Sequence, residues 1–357
     1  MAQVEDKTTV RLVIATLAEM VRDILAAVGV PEDDRPVIAD ALIDADRRGL
    51  HSHGLLRLPL YVSAVKAGGI DPDPRMTWRV AHGAVATLDA ASGFGQVAMW
   101  RAVGRARQLT EQFGSAAIAV YGSSHYGAGA YWTELLAESG YASFLASTTG
   151  LVVAPFGSAR KILGTNPMTL TFPAGGAPLT ADLATSAGAY GKIVQAARTN
   201  EPIPGDWAVD VHGRPTTNAQ AALDGASRPF GGHKGSAIAT MLELFAAAGT
   251  GARFANETTD IWIDPASRMG TGHLLLTFDP EVLAPGSDPQ GRASRFRDEF
   301  HDLPAADDAS PVLAPGDVER RRAEGNRDEV TVPGNVARQL GALASELGVS
   351  LADGLVV

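Results

Sequence analysis

Apolar residues recur at helical spacing through VRLVIATLAEMVRDILAAVGV, residues 10 to 30, and predict an amphipathic helix that ends at Gly29. Pro31 stands where a second helix could open, running to about Arg47 and closed by Gly49. A third is predicted from about Leu56 to Ala67, stopped by Gly68-Gly69, with Pro59 tolerated because it falls in the first turn. The segment HSHG, residues 51 to 54, is then the turn between two helices.

From about Val80 the pattern shortens to β-rich runs: VATLD, AIAVY, SFLAS, MTLTF, PLTADLA and, from Leu274, LLLTF. Alanine-rich helical stretches at 97 to 109, 129 to 138, 187 to 198 and 235 to 248 alternate with them, which predicts a mixed α/β region. The last part holds a charged helix near RASRFRDEF, a surface loop LPAADDASPVLAPGD and a closing helix NVARQLGALASELGV.

Composition narrows the functional classes. The chain of 357 residues has 45% hydrophobic and 20% charged residues, the balance of a globular protein with a sizeable core. Thirty basic against forty acidic residues give a net charge of −10, which argues against nonspecific binding to nucleic acid or anionic membrane. With no cysteine, disulfides, thiolate metal sites and cysteine nucleophiles are excluded. MAQVEDKTTVRLV lacks the pattern of a secretory leader and no apolar run reaches spanning length, so the cytoplasm is the expected address.

Two of the eight histidines flank a serine in RRGLHSHGLLRLPLY, residues 47 to 61. Arg57 and Tyr61 are four apart, on one face of the third helix, with His53 just ahead of it. A guanidinium fork matches a carboxylate, and an imidazole with an ordinary pKa near 6.5 exchanges a proton at neutral pH. The set describes a site that holds an acid by its carboxylate and moves one proton. The plainer alternative makes Ser52 a helix cap, His53 a turn residue and Arg57 a surface charge.

His125, in YGSSHYGAGAYW, lies where a strand-like run turns into a helix, a common place for cleft residues. Lys234, in PFGGHKGS, opens a helix after a glycine-rich turn and suits an anion such as a pyrophosphate. GFGQVA at 93 to 98 fits G-x-G-x-x-A, yet AIAVYGSS ends without the acidic residue that a dinucleotide fingerprint requires. His51 and His53 could instead ligate zinc with His125, His233 or an aspartate in a metal-dependent hydrolase, against which stands the absence of an HExxH helix.

Six stretches, ADRRGLHSHGLLRLPLY, SSHYGAGAYW, APFGSARKILGTNPMTLTFP, ADLATSAGAYGKI, WAVDVHGRPTT and GGHKGS, run in order across most of the chain. In them the sequence resembles the type-2 malate/L-lactate dehydrogenase family, which includes ureidoglycolate and sulfolactate dehydrogenases and Δ1-piperideine-2-carboxylate reductases. The resemblance implies an α+β fold. A helical domain would be built from residues 1–79 and 285–357, and an NAD(P)-binding domain, 80–284, around a mostly antiparallel sheet without a Rossmann fold. It also implies a homodimer that uses NADPH or NADH on a small carboxylate substrate.

By match to the family's motifs, His53 resembles the proton donor, Ser52 its partner, and His125 a further catalytic histidine. Arg57 resembles the substrate-carboxylate group, with Tyr61 beside it on the same helix face. Asp182, Leu183, Ala184, His233, Lys234, Pro315, Gly316 and Asp317 fall where the cofactor is contacted. GGHKGSAIATMLEL looks like the cyclic-imine reductases, whereas Lys192 in AYGKI replaces the acid of their charge relay. The expected reaction is hydride transfer to C2 of a 2-imino or 2-oxo acid, with a malate- or lactate-type 2-hydroxy acid dehydrogenase as the alternative.

Overall fold

A computed structural model describes residues 8–306 and 311–355. The chain runs β1 (Thr9–Val13), α1 (Ile14–Ala27), α2 (Arg35–Arg47), α3 (Leu58–Ala67), β2 (Thr77–His82), β3 (Val85–Asp89), α4 (Gly95–Phe113), β4 (Ser115–Ser123) and α5 (Gly129–Ala137). It continues through β5 (Ala142–Ser147), β6 (Met168–Phe172), β7 (Leu179–Leu183), α6 (Tyr190–Thr199), β8 (Ala208–Val209), α7 (Ala219–Asp224), β9 (Ala226–Ser227), α8 (His233–Glu243) and β10 (Thr271–Phe278). Last come α9 (Pro280–Leu283), α10 (Pro289–Asp302), α11 (Asp317–Gly325), β11 (Glu329–Pro333) and α12 (Gly334–Leu347).

Seven strands form the main sheet in the order β2-β3-β4-β10-β5-β6-β7, antiparallel throughout except between β3 and β4. The expected α+β class with a mostly antiparallel, non-Rossmann sheet is what the chain adopts. Side chains alternate across each strand. Ile118, Val120, Leu145 and Leu275 therefore meet α4 and α5 on one face, while Ala146 on the other meets Leu242 of α8 and Ala246.

The first predicted helix needs correction. Its opening residues TVRLV form β1, which pairs antiparallel with β11, a strand the periodicity did not reveal. β-branched Thr9, Val10 and Val13 favour an extended chain, and the pairing stitches the two ends of the sequence together. Leu12, Leu17, Ile24 and Leu42 then share one core with Val330, Val332 and Leu340. The second helix begins at Arg35, with Pro36 and not Pro31 in its first turn. Residues 1–7 of the expected leaderless N-terminus, and 307–310 of the Pro/Ala/Asp loop, lie outside the described residues. No described helix is long and apolar enough to cross a membrane.

At the centre of the sheet His273 is buried between two serines, with Nδ1 2.8 Å from Ser147 Oγ and Nε2 2.9 Å from Ser123 Oγ. Burial pushes its pKa down from the usual 6.5 to about 3. The unfolded chain binds this proton below pH 6.5 while the folded chain refuses it, so stability is held above 6.5 and lost as pH falls toward 3. The melting temperature should decline over that window, and less steeply in His273→Asn, whatever its overall stability. Parallel curves of melting temperature against pH would remove His273 from the cause.

Candidate active site

The HSHG turn is built around one buried carboxylate. Asp46 ends the core-facing row Ile38, Leu42, Asp46 of α2 and is 2% exposed. One of its oxygens lies 2.7 Å from His51 Nδ1, and the other accepts the Leu55 N–H at 2.7 Å. Gly54 has to be glycine here, since a Cβ would come within 2.2 Å of that second oxygen. His51 is thereby drawn back and Ser52 and His53 are left facing forward. An acid on an apolar stripe was the available signal for Asp46.

Ser52 Oγ lies 2.9 Å from His53 Nδ1, which leaves His53 Nε2 for the cleft. Arg57 Nε donates to the Ser52 carbonyl at 2.5 Å, and its guanidinium stacks over the Trp262 ring, 4.3 Å from the centroid. His125 arrives from the turn between β4 and α5. It stacks on His53 with ring centroids 5.6 Å apart and meets Trp262 edge-on at 5.3 Å. Ser52, His53, Arg57 and His125 are thus brought together in one cleft, as expected. Trp262 comes from a distant loop with no local pattern to mark it.

Tyr61 departs from its expected place on the substrate. It is fully buried behind His125, because the face of α3 that carries it packs into the core with Leu58. Gln96 Nε2 donates to the phenol oxygen at 3.0 Å, and the same oxygen lies 2.6 Å from His125 Nδ1, which leaves His125 Nε2 without a bond from Tyr61. Gln96 lies inside GFGQVA, whose glycines serve packing: a Cβ on Gly95 would meet the Ser124 carbonyl at 2.4 Å.

Enclosure and the Arg57 charge set the protonation states. Burial first, and Arg57 second, bring His53 down from 6.5 to about 4, and His125 is held well below 6.5 by burial first, then by Arg57, His53 and His273. Burial raises Tyr61 to about 12. Asp260, two residues before Trp262, is raised to about 6 by burial, against the pull of Trp262 and Arg57. The expected near-neutral titration of His53 is therefore replaced by a neutral imidazole over most of the pH range. His51 is committed to Asp46, His233 packs edge-on to Phe156, and no described group of three His, Asp or Glu side chains is gathered as a metal would require.

The predicted cofactor residues come from three segments that the chain lays side by side. The Thr180 N–H donates to Pro315 O, which places residues 315 to 317 along β7. Ala187 and Phe230 N–H groups bond to Arg228 and Thr185 carbonyls, which joins the chain after β7 to the approach to α8. Gly231 and Gly232, at φ +59° and +64°, precede exposed His233 and Lys234 at the start of α8. Bare glycine backbone, free helix N–H groups and a lysine form a donor set that fits a diphosphate.

Two acids in this set have their carboxylates spoken for. Asp182 accepts from the Ala130 N–H at the start of α5 and from the Thr169 hydroxyl, which ties down its carboxylate, although residues 182 to 184 are all exposed. Asp317 is 1% exposed and holds His301, Arg320 and the Ala314 N–H.

The model of the malate/L-lactate dehydrogenase family matches residues 12–341. A (2R)-3-sulfolactate dehydrogenase (NADP(+)) of Chromohalobacter salexigens is 40% identical over 73% of this chain and 79% of its own. A Δ1-pyrroline-2-carboxylate reductase of Ancylobacter novellus is 34% identical over 94% of this chain and 97% of its own. The solved sulfolactate dehydrogenase of Methanocaldococcus jannaschii superposes with a TM-score of 0.89 at 32% identity, covering 95% of this chain and 98% of that one.

If the Arg57 charge helps hold His53 near 4, Arg57→Met should raise the titration midpoint of His53 while burial keeps it below 6.5. Imidazole NMR reads this directly, and an unmoved midpoint would leave burial as the whole cause.

Proposed function

Because the chain belongs to the malate/L-lactate dehydrogenase family and is an NAD(P)-dependent oxidoreductase, we propose that it moves hydride between the cofactor and C2 of a 2-oxo or 2-hydroxy carboxylic acid. The observation that carries this reading is the Ser52–His53 pair set against Arg57 in one half-buried cleft. Bound NAD(P)H supplies the hydride. The residues to hold it are the backbone of Asp182, Leu183 and Ala184, the Gly231–Lys234 turn with His233, and the Pro315–Asp317 segment.

Arg57 has its Nε fixed and its stacked plane held by Trp262, which leaves its terminal N–H groups as a fork for the substrate carboxylate. His53 Nε2 exchanges the proton on the C2 oxygen. A neutral His53 is the base needed to oxidise an alcohol. A carboxylate arriving on Arg57 cancels much of one of the two causes that keep the imidazole low, and moves it toward the range of a proton donor. His125, anchored at Nδ1 by Tyr61, presents its Nε2 to the same oxygen. The turn built on Asp46 and the sheet core buried under α4 and α5 keep these groups in register, and such orientation is worth about 7–11 kcal/mol in favourable cases.

The cleft would lie where the helical part, 1–79 and 285–357, meets the sheet part, 80–284. A cyclic 2-imino acid is the second substrate class, favoured by the likeness of GGHKGS to the imine reductases and by a 34%-identical relative of that name. The free 2-oxo acid stands first because Lys192 is exposed in the first turn of α6, where those reductases are expected to carry an acid.

The working unit would be a homodimer. Ile238, Met241, Leu244 and Phe245 form an apolar row along α8 and the turn after it, each 39–47% exposed, and a second copy would cover it. Light scattering should give twice the monomer mass for the native chain and the monomer mass for Met241→Glu/Phe245→Glu. A native monomer would end the dimer reading.

Oxidation of NADPH and NADH is to be followed with pyruvate, oxaloacetate and the five- and six-membered cyclic imino acids. His53→Ala should lower kcat by at least about 100-fold, as loss of a general acid does, and Arg57→Lys should chiefly raise KM. Full activity of His53→Ala would remove His53 from the chemistry.

A further inference from the structure

One carboxyl in the cleft has no part in the proton transfer just described. Asp260 is 7% exposed, and its Oδ1 is buried without a hydrogen-bond partner. Space for it is made by Gly150, where a Cβ would come within 2.1 Å of Oδ2. The Trp262 indole donates toward it, and the face of that same indole carries the Arg57 guanidinium. Asp260 and Arg57 are close enough that each alters the ionisation of the other. An unpaired buried acid is costly unless its charge state can change or has a use.

We infer that Asp260 is a positioning and specificity-determining residue for the Arg57 clamp, taking up a proton when a substrate carboxylate binds there and so disfavouring substrates that bring a second negative charge. The inference rests on the proposed reaction, since it takes Arg57 to be the carboxylate site.

The physical basis is competition for one cation. While the cleft is free, Arg57 is the cation among the described residues that acts on an ionised Asp260. A carboxylate that docks on Arg57 adds a like charge to the same enclosed space, and the neutral acid becomes the favoured form. Every other titratable group packed here changes charge elsewhere. His53 does so near 4 and Tyr61 near 12, His125 is held well below 6.5, and Tyr190 is pushed above its usual 10 by burial and by Asp260 itself. Arg57, though lowered from 12.5, keeps its charge. In the free protein the change between pH 5 and 8 therefore belongs to Asp260, whose midpoint is about 6. The rise of His53 on binding is common to the wild type and to a variant at Asp260, so the difference between the two isolates Asp260.

The sign follows. Below pH 6 Asp260 is already neutral and binding costs no proton; above 6 binding must draw one in, so KM rises with pH. If the bound carboxylate raises Asp260 by about one pK unit, KM climbs roughly tenfold between pH 5 and 8 and then levels. Asp260→Asn keeps the shape and removes the charge. Its KM should be flat over that range and about tenfold below the wild-type value at pH 8, with a larger gain for oxaloacetate than for pyruvate. A merely structural role would not produce that pH profile.

The experiment measures KM for pyruvate, oxaloacetate and Δ1-pyrroline-2-carboxylate from pH 5 to 8 in the wild type and in Asp260→Asn. Alongside, titration calorimetry at pH 7 in two buffers of different ionisation heat follows oxamate binding to the wild-type NADH complex. That second measurement needs no variant: uptake of at least about 0.4 proton is expected from the same shift, any excess belonging to His53. Parallel KM profiles, or binding without proton uptake, in a wild type that turns over normally would overturn the role of Asp260 alone. A wild type that oxidises neither cofactor with any of the three acids would overturn the proposed reaction and this inference with it.

Discussion

A single positive charge in an enclosed cleft governs the chemistry of this chain. Arg57 is fixed at Nε by the Ser52 carbonyl and flattened on Trp262, so it cannot swing away to solvent. Held there, it works against protonation of His53 and His125 and in favour of ionised Asp260. Enclosure makes these effects larger than they would be at a surface, because little water remains to screen them. The same charge thus keeps both histidines low, and in the proposed reaction it would also receive the substrate carboxylate.

Keeping the charge in place is the work of groups far from it in sequence. Asp46 bends the turn, and the core shared by both chain ends holds α2 and α3 beneath it. Tyr61 and Gln96 fix His125 from behind. Asp46 and the Tyr61 hydroxyl are buried and already hydrogen-bonded within the protein, whereas Gln96 Oε1 is buried without a partner. The side chains that keep open faces, His53, Arg57 and His125, are the ones with capacity to spare for a ligand.

The reading of the sequence reached the second set more readily than the first. Local spacing put Ser52, His53 and Arg57 in one turn, and a strand-to-helix junction put His125 in a cleft. Tyr61 shares its helix with Arg57, but four residues of spacing cannot say which side of that helix is the core side. Asp260 and Trp262 enter from a loop some 200 positions away, and Gln96 was hidden inside a motif that resembles a phosphate turn. Pairing of β1 with β11 was illegible for the same reason, since TVRLV continues an apolar helical pattern and only its distant partner makes it a strand.

The glycines show how the same residue type can mark two different things. In GFGQVA the backbone at Gly95 is pressed against the Ser124 and His125 carbonyls, so the bare Cα lets a helix sit close to the turn that carries His125. At Gly231 and Gly232 the chain is open and left-handed, and only a small Cβ-free surface is presented to whatever lies over it. The first has the spacing of a phosphate turn without its acidic residue, while the second, with its lysine, suits an anion by pattern and by surroundings. What separates them is whether the backbone N–H groups face protein or a cleft, a property that belongs to the packed chain and to no stretch of six residues within it.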